Sequence, residues 1–277
     1  MNLKNNIVLF LFVSFSFFVK SQDLISADSL LFHINDTNII IVDARSKKDF
    51  INDVHIKNAI NIPYDTLQQN IPVDGIIKTS KDMSCLLGRL GVSNSKTIIV
   101  YDEGSNKYSS RLYWMLKYLG TPNVNILNGN LKVWLKKTYP ITKDDAVLKR
   151  TVFNYNVDSS ILATFDDLKN RDIIIIDARS KKEYKGSDRE SKGHIPNAYN
   201  IEYKDVVSSS GAFKSKKELS KIFKNIDKNK TVIIYCKTSV RGSVIFFALY
   251  SILNYPKVKL YDGAYNEWVY LKNKIDR

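Results

Sequence analysis

Residues 39–50 read IIIVDARSKKDF and residues 173–184 read IIIIDARSKKEY, identical at nine of twelve positions and separated by 134. A second pair, HIKNAINIPY from His55 and HIPNAYNIEY from His194, lies 139 apart. TIIVYD from Thr97 and TVIIYC from Thr231 return to 134, as do LNGNLKVW ending at Trp134 and YDGAYNEW ending at Trp268. Four matched blocks in one order, with a five-residue insertion in the second copy and its later compensation, mark a tandem duplication. A chain of 277 residues has room for two such units.

Within each copy the pattern alternates strand and helix. Ile39–Val42, Ile98–Tyr101, Ile173–Ile176 and Val232–Tyr235 are short, continuous and β-branched, as parallel strands buried on both faces must be. Helical stretches such as Ser109–Leu119 and Gly242–Leu253 fall between Gly, Pro and Asn turns. The fold class is therefore α/β, two tandem domains, each a central parallel sheet flanked by helices. The division expected is a leader over 1–21, a first domain over 22–142, a polar linker over 143–160 and a second domain over 161–277. The leader reading rests on Lys4 followed by the apolar run Ile7–Val19, thirteen residues and too short to span a bilayer. It predicts an exported protein with no stable membrane association after cleavage.

Composition narrows the chemistry. A 44% apolar fraction can fill real cores, so a disordered chain is excluded. Two cysteines and three histidines exclude a disulfide miniprotein and a zinc-finger array, and no cluster has metal-ligand spacing. The net charge of +14 comes from scattered lysines without interleaved aromatics, which predicts a solvated surface and no nucleic-acid site. Cys85, in an apolar helical stretch, is expected in the core.

Ligands in parallel sheets bind at the carboxyl ends of strands, where loops lead into helix N-termini. There stands Cys236-Lys237-Thr238-Ser239-Val240-Arg241. Successive N–H groups of such a loop can converge on an anion, and Lys237 and Arg241 add positive charge, so each influence favours the nucleophilic thiolate. A buried structural cysteine remains the alternative.

These blocks carry a resemblance. The paired Asp-Ala-Arg and His-Ile-x-Asn-Ala motifs, the strand ending in Cys with Arg five residues on, and the closing Tyr-Asp-Gly-Ala-Tyr-x-x-Trp resemble the rhodanese family. The match covers both halves and looks like the tandem thiosulfate and 3-mercaptopyruvate sulfurtransferases. The resemblance implies a silent first domain and a catalytic second one, and the counterpart of Cys236 is Asp102, which cannot accept sulfur. It implies that Cys236 takes a sulfane sulfur from a small anionic donor as a persulfide and passes it to cyanide or a thiol, without a cofactor. Arg179 matches a donor-binding position, with Lys237, Thr238, Ser239, Val240 and Arg241 forming the loop around the donor. Arg189, in the stretch present only in the second copy, is a further donor-binding candidate, and His55 a candidate relay from the first domain. Two readings of another class stay open: a persulfide carrier, and a phosphatase, although phosphatases of this fold have five residues between Cys and Arg where this chain has four. Many relatives have Gly where Ser239 stands; if that position is left-handed, Ser costs about 1 kcal/mol. Of the two donors, thiosulfate or 3-mercaptopyruvate, thiosulfate is the one expected.

Overall fold

The β-branched runs become the centres of two separate sheets. The structure is a computed structural model that describes residues 23–277; the expected leader over 1–21 lies outside the described residues. The first sheet has five parallel strands in the order Leu24–Ile25, Val124–Leu127, Thr97–Tyr101, Ile39–Asp43, Ala59–Asn61. The second repeats it as Leu162–Ala163, Val258–Tyr261, Thr231–Tyr235, Ile173–Asp177, Ala198–Asn200. Even the register repeats, with Asp43 opposite Tyr101 and Asp177 opposite Tyr235.

Alternation along each strand explains why both faces are apolar. Ile40 and Val42 enter one cluster with Trp114, while Ile41 enters another with Tyr101 and Trp134. Ile174 and Ile176 likewise face one way and Ile175 the other. Full burial of each such side chain stabilises by about 1.5–3 kcal/mol. The first cluster is shared by both domains. Helix Lys107–Tyr118 of the first packs on helix Gly242–Phe247 of the second, and the Tyr113 and Phe247 rings meet edge to face at 4.8 Å. These helices occupy equivalent places in the two copies, so the duplicated halves join through like surfaces.

The second of them departs from the expected helix over Gly242–Leu253: after Phe247 it widens into a π-helical turn, Ala248–Ile252. Residues 145–158 form no helix or strand. The segment docks by completing the first domain's helix ends, since the N–H groups of Thr151, Asn156 and Asp158 donate to the carbonyls of Gly88, Leu119 and Tyr118 at 3.0, 3.0 and 2.8 Å. Phe153 anchors it in the shared core.

Cys85 corrects an expectation. Helix Ser80–Arg89 buries Met83 and Leu87, four residues apart, and this places Cys85 on the opposite, exposed face. Both cysteines are free. Among the described residues no helix is long and apolar enough to cross a membrane.

Candidate active site

The Asp-Ala-Arg blocks build the same buried ion pair twice. Arg179 donates through Nε to both Asp177 oxygens at 3.0 and 3.1 Å and through Nη2 to Oδ2 at 2.6 Å. Its remaining reach goes to Ser191 Oγ at 3.0 Å and the Gly193 carbonyl at 2.8 Å, and the Tyr265 ring covers its face at 3.8 Å. Tyr235 completes the unit by donating its hydroxyl to Asp177 at 2.7 Å. Arg45 repeats the pairing with Asp43 in the first domain. The expectation that Arg179 holds the donor is therefore corrected: both terminal nitrogens and Nε are engaged inside the protein, and only 1% of the side chain is exposed.

His55 has a similar outcome. It is buried, stacks on Phe50 at 3.9 Å between centroids, and lies 3.2 Å from the Asp144 carbonyl in the segment that follows the first domain. His194 repeats this by stacking on Tyr184 at 3.7 Å. One first-domain residue that meets the cysteine loop is Gly75: a Cβ built there would lie 2.8 Å from the Thr238 Cβ. Glycine supplies no acid or base.

The loop itself forms where strand Thr231–Tyr235 ends. Cys236 is 1% exposed, and its carbonyl accepts the Tyr265 N–H at 2.9 Å. Ser239 is buried with φ +59°, the left-handed region that Gly occupies more readily. Its hydroxyl donates to the Tyr261 carbonyl, a bond that glycine could not make and that offsets part of the strain. Helix Gly242–Phe247 starts one residue after Arg241.

Two carboxylates that sequence reasoning missed neutralise the loop's cations. Glu183 accepts from Arg241 Nη1 and Nη2 at 2.7 Å each, a two-pronged pair. Burial alone would raise the Glu183 pKa, but the Arg241 guanidinium and Ser180 bring it down to about 2. Burial likewise works against the Arg241 charge, yet Glu183 and the nearby Cys236 sulfur hold its pKa above the ordinary value. Lys237 pairs with Glu190. Arg189, by contrast, is exposed, so the second-copy insertion reaches the loop through Glu190. Glu183 carried one visible signal, the Ser180-x-x-Glu183 capping box, which the structure contains in full.

The two copies of this loop differ in what fills them. In the first domain the Asp102 carboxylate accepts the N–H groups of Gly104, Asn106, Tyr108 and Ser109 at 2.8, 3.2, 3.1 and 3.3 Å, and the Ser109 hydroxyl at 3.2 Å. Burial and the neighbouring Glu103 push its pKa up to about 6 while those N–H groups pull against them. In the second domain the N–H groups of Thr238, Ser239, Val240, Arg241 and Gly242 donate to no acceptor among the described residues. Where the first copy holds the Asp102 carboxylate, the second has the Cys236 thiol and unused donors.

A cavity of about 460 Å³ adjoins this loop at Lys237, bounded by Val73 and Asp74 of the first domain and by Glu190, Tyr265 and Tyr270 of the second. A slightly larger one, about 490 Å³, opens beside Ile173 at the other end of the sheet, away from the cysteine. Among the described residues no group of three His, Cys, Asp or Glu side chains could hold a metal ion.

Comparison with known proteins agrees with the duplicated plan. The sequence model of the rhodanese-like domain matches residues 26–137 and again 163–270. The sulfur carrier protein TtuD of Thermus thermophilus is 30% identical over 275 residues, 91% of this chain and 95% of TtuD. A thiosulfate sulfurtransferase of Gallus gallus is 30% identical over 208 residues, 71% of this chain and 72% of that protein. The crystal structure of SseA from Escherichia coli, a 3-mercaptopyruvate sulfurtransferase, superposes with a TM-score of 0.81 at 30% identity, covering 88% of this chain and 99% of SseA.

Proposed function

Because the chain belongs to the rhodanese family, we propose that its Cys236 thiolate is the sulfur-accepting nucleophile. The chain is a sulfurtransferase of the thiosulfate or 3-mercaptopyruvate class. With thiosulfate, the Cys236 sulfur attacks the outer sulfane sulfur, the donor's S–S bond breaks, and its electron pair leaves with sulfite. The resulting persulfide is attacked at its outer sulfur by cyanide or a thiolate, which regenerates the Cys236 thiolate. Such double displacement predicts ping-pong kinetics.

The reading is carried by the contrast between the two loops. The first-domain cradle accommodates a carboxylate on four N–H groups and a hydroxyl; of the matching groups beside Cys236, the N–H groups of Thr238, Val240 and Gly242 have no acceptor among the described residues, while Ser243 spends its N–H on the Ser239 carbonyl at 3.1 Å and its hydroxyl on the Val240 carbonyl at 2.6 Å. Donor, persulfide and thiolate are all anions, so these donors act on charge present throughout the cycle. Arg241, fixed by Glu183, adds a cation that cannot be titrated away in the working range. Thiosulfate fits a small cradle with Lys237 at its rim. Export, with the leader removed, rests on the sequence pattern over 1–21.

The test is sulfite and thiocyanate production by the wild type and by Cys236→Ser. The variant should retain no turnover above background; equal rates would end the proposal. A carrier role has its own support, since TtuD, 30% identical to this chain, is named a sulfur carrier. It predicts stable persulfide on Cys236 with negligible release to cyanide.

A further inference from the structure

We propose that Arg111, on the silent first domain, is a positioning residue for the cysteine loop of the second, acting through Asp262. This rests on the reading of Cys236 as the working thiol. Arg111 is fully buried in helix Lys107–Tyr118. Its Nη2 donates to Asp262 Oδ1 at 2.5 Å and to the Gly75 carbonyl at 2.9 Å. The other Asp262 oxygen accepts the N–H of Ile77, again from the first domain, at 2.9 Å. One carboxylate of the second domain is thus clamped from two directions by the first.

What the clamp holds is the loop. Asp262 follows Tyr261, whose carbonyl receives the Ser239 hydroxyl and so restrains the one left-handed residue in the loop. Gly75, tied by Arg111, sits at φ +90° against Thr238, the residue before Ser239. Both ends of the Thr238–Ser239 unit therefore depend on Arg111: one through Gly75, the other through Asp262 and Tyr261. That unit carries two of the unused N–H groups, and their direction decides how well a thiolate is stabilised. Arg111 Nε and Nη1 are buried without a partner, so Asp262 is the carboxylate that compensates this charge. Breaking such a pair leaves an uncompensated buried charge and lets the elements it joined drift.

Arg241 acts electrostatically on the Cys236 sulfur; Lys237 follows Cys236 in the chain, Glu183 and Glu190 pair with these two cations, Asp74 lines the same cavity as Lys237, and the Arg111–Asp262 clamp joins the loop through Gly75 and Tyr261. This makes Asp262→Asn decisive by sign. Removing a negative charge near a thiol, with nothing else changed, favours the thiolate. Loss of positioning disfavours it. The experiment is the pH dependence of Cys236 alkylation by iodoacetamide, in the full chain carrying Cys85→Ser so that a single thiol is read. Asp262→Asn is expected to lower the thiolate fraction at pH 7 by about 3- to 10-fold, and Arg111→Lys, which keeps the charge, by less. An unchanged profile, or one shifted toward more thiolate, overturns the inference, even if the melting temperature falls. Should Asp262→Asn fail to fold, Gly75→Ala presses on Thr238 from the other side and must move the profile the same way; no movement overturns it too. If the wild type shows no sulfur transfer yet the profiles shift as expected, the positioning stands and the catalytic reading fails. If it turns over and the profiles superimpose, only the positioning fails.

Discussion

Replacing Glu183 by Gln tests whether the second-domain loop is braced by its carboxylate neighbour. The fall of the Glu183 pKa from 4.5 to about 2 corresponds to at most about 3.4 kcal/mol. The pair keeps contact with water, its side chains being 23% and 16% exposed, and screening brings the expected loss to about 1–2 kcal/mol. For a protein of this size that is a fall in melting temperature of about 2–8 °C. The pH dependence gives a second handle. A carboxyl whose pKa is depressed on folding contributes stability that is complete above its unfolded pKa and lost as pH falls through the folded one. The gap between wild type and Glu183→Gln should therefore be full at pH 7, shrink below about pH 4.5, and be less than half by about pH 3. Differential scanning fluorimetry across that range reads it directly. Equal melting temperatures at pH 7, or a gap constant down to pH 3, would refute the bracing.

Two more outcomes follow from the loops. Asp102→Ser takes the acceptor from four N–H groups, a loss of about 1–3 kcal/mol, but also removes a buried carboxylate whose pKa is raised to about 6, so the fall in stability should be larger at pH 5 than at pH 7. Added sulfate should restore more of it than it gains the wild type, as melting curves against sulfate concentration will show. Lys237→Ala removes an exposed cation that Glu190 already holds, so melting should change little. The KM for thiosulfate should nonetheless rise severalfold and lose part of its salt dependence, measured in steady-state assays at low and high ionic strength.

The duplication and the parallel sheets were legible because strand burial on two faces writes itself as uninterrupted β-branched runs. The placement of Cys236 was legible too, since strand ends and helix starts leave marks in the chain. The ionic partners were not. Glu183 lies 58 positions from Arg241 and Glu190 lies 47 from Lys237, and nothing local announces either meeting. Arg179 misled because resemblance assigned it to the donor, although its spacing from Asp177 already allowed a closed pair two residues apart. Cys85 misled differently. Its neighbours are apolar, but the helical period of Met83 and Leu87 turns it outward. The role of Gly75 depends on how one domain drapes over the other, which no spacing within either copy encodes.

The most direct test is to incubate the protein with thiosulfate, remove the excess, and locate any added sulfur by mass spectrometry of the peptides. The account predicts one sulfur atom on the peptide containing Cys236, none on that containing Cys85, and its disappearance on adding cyanide. Sulfur transfer proceeding while Cys236 stays unmodified, or with the added atom on exposed Cys85, would contradict it.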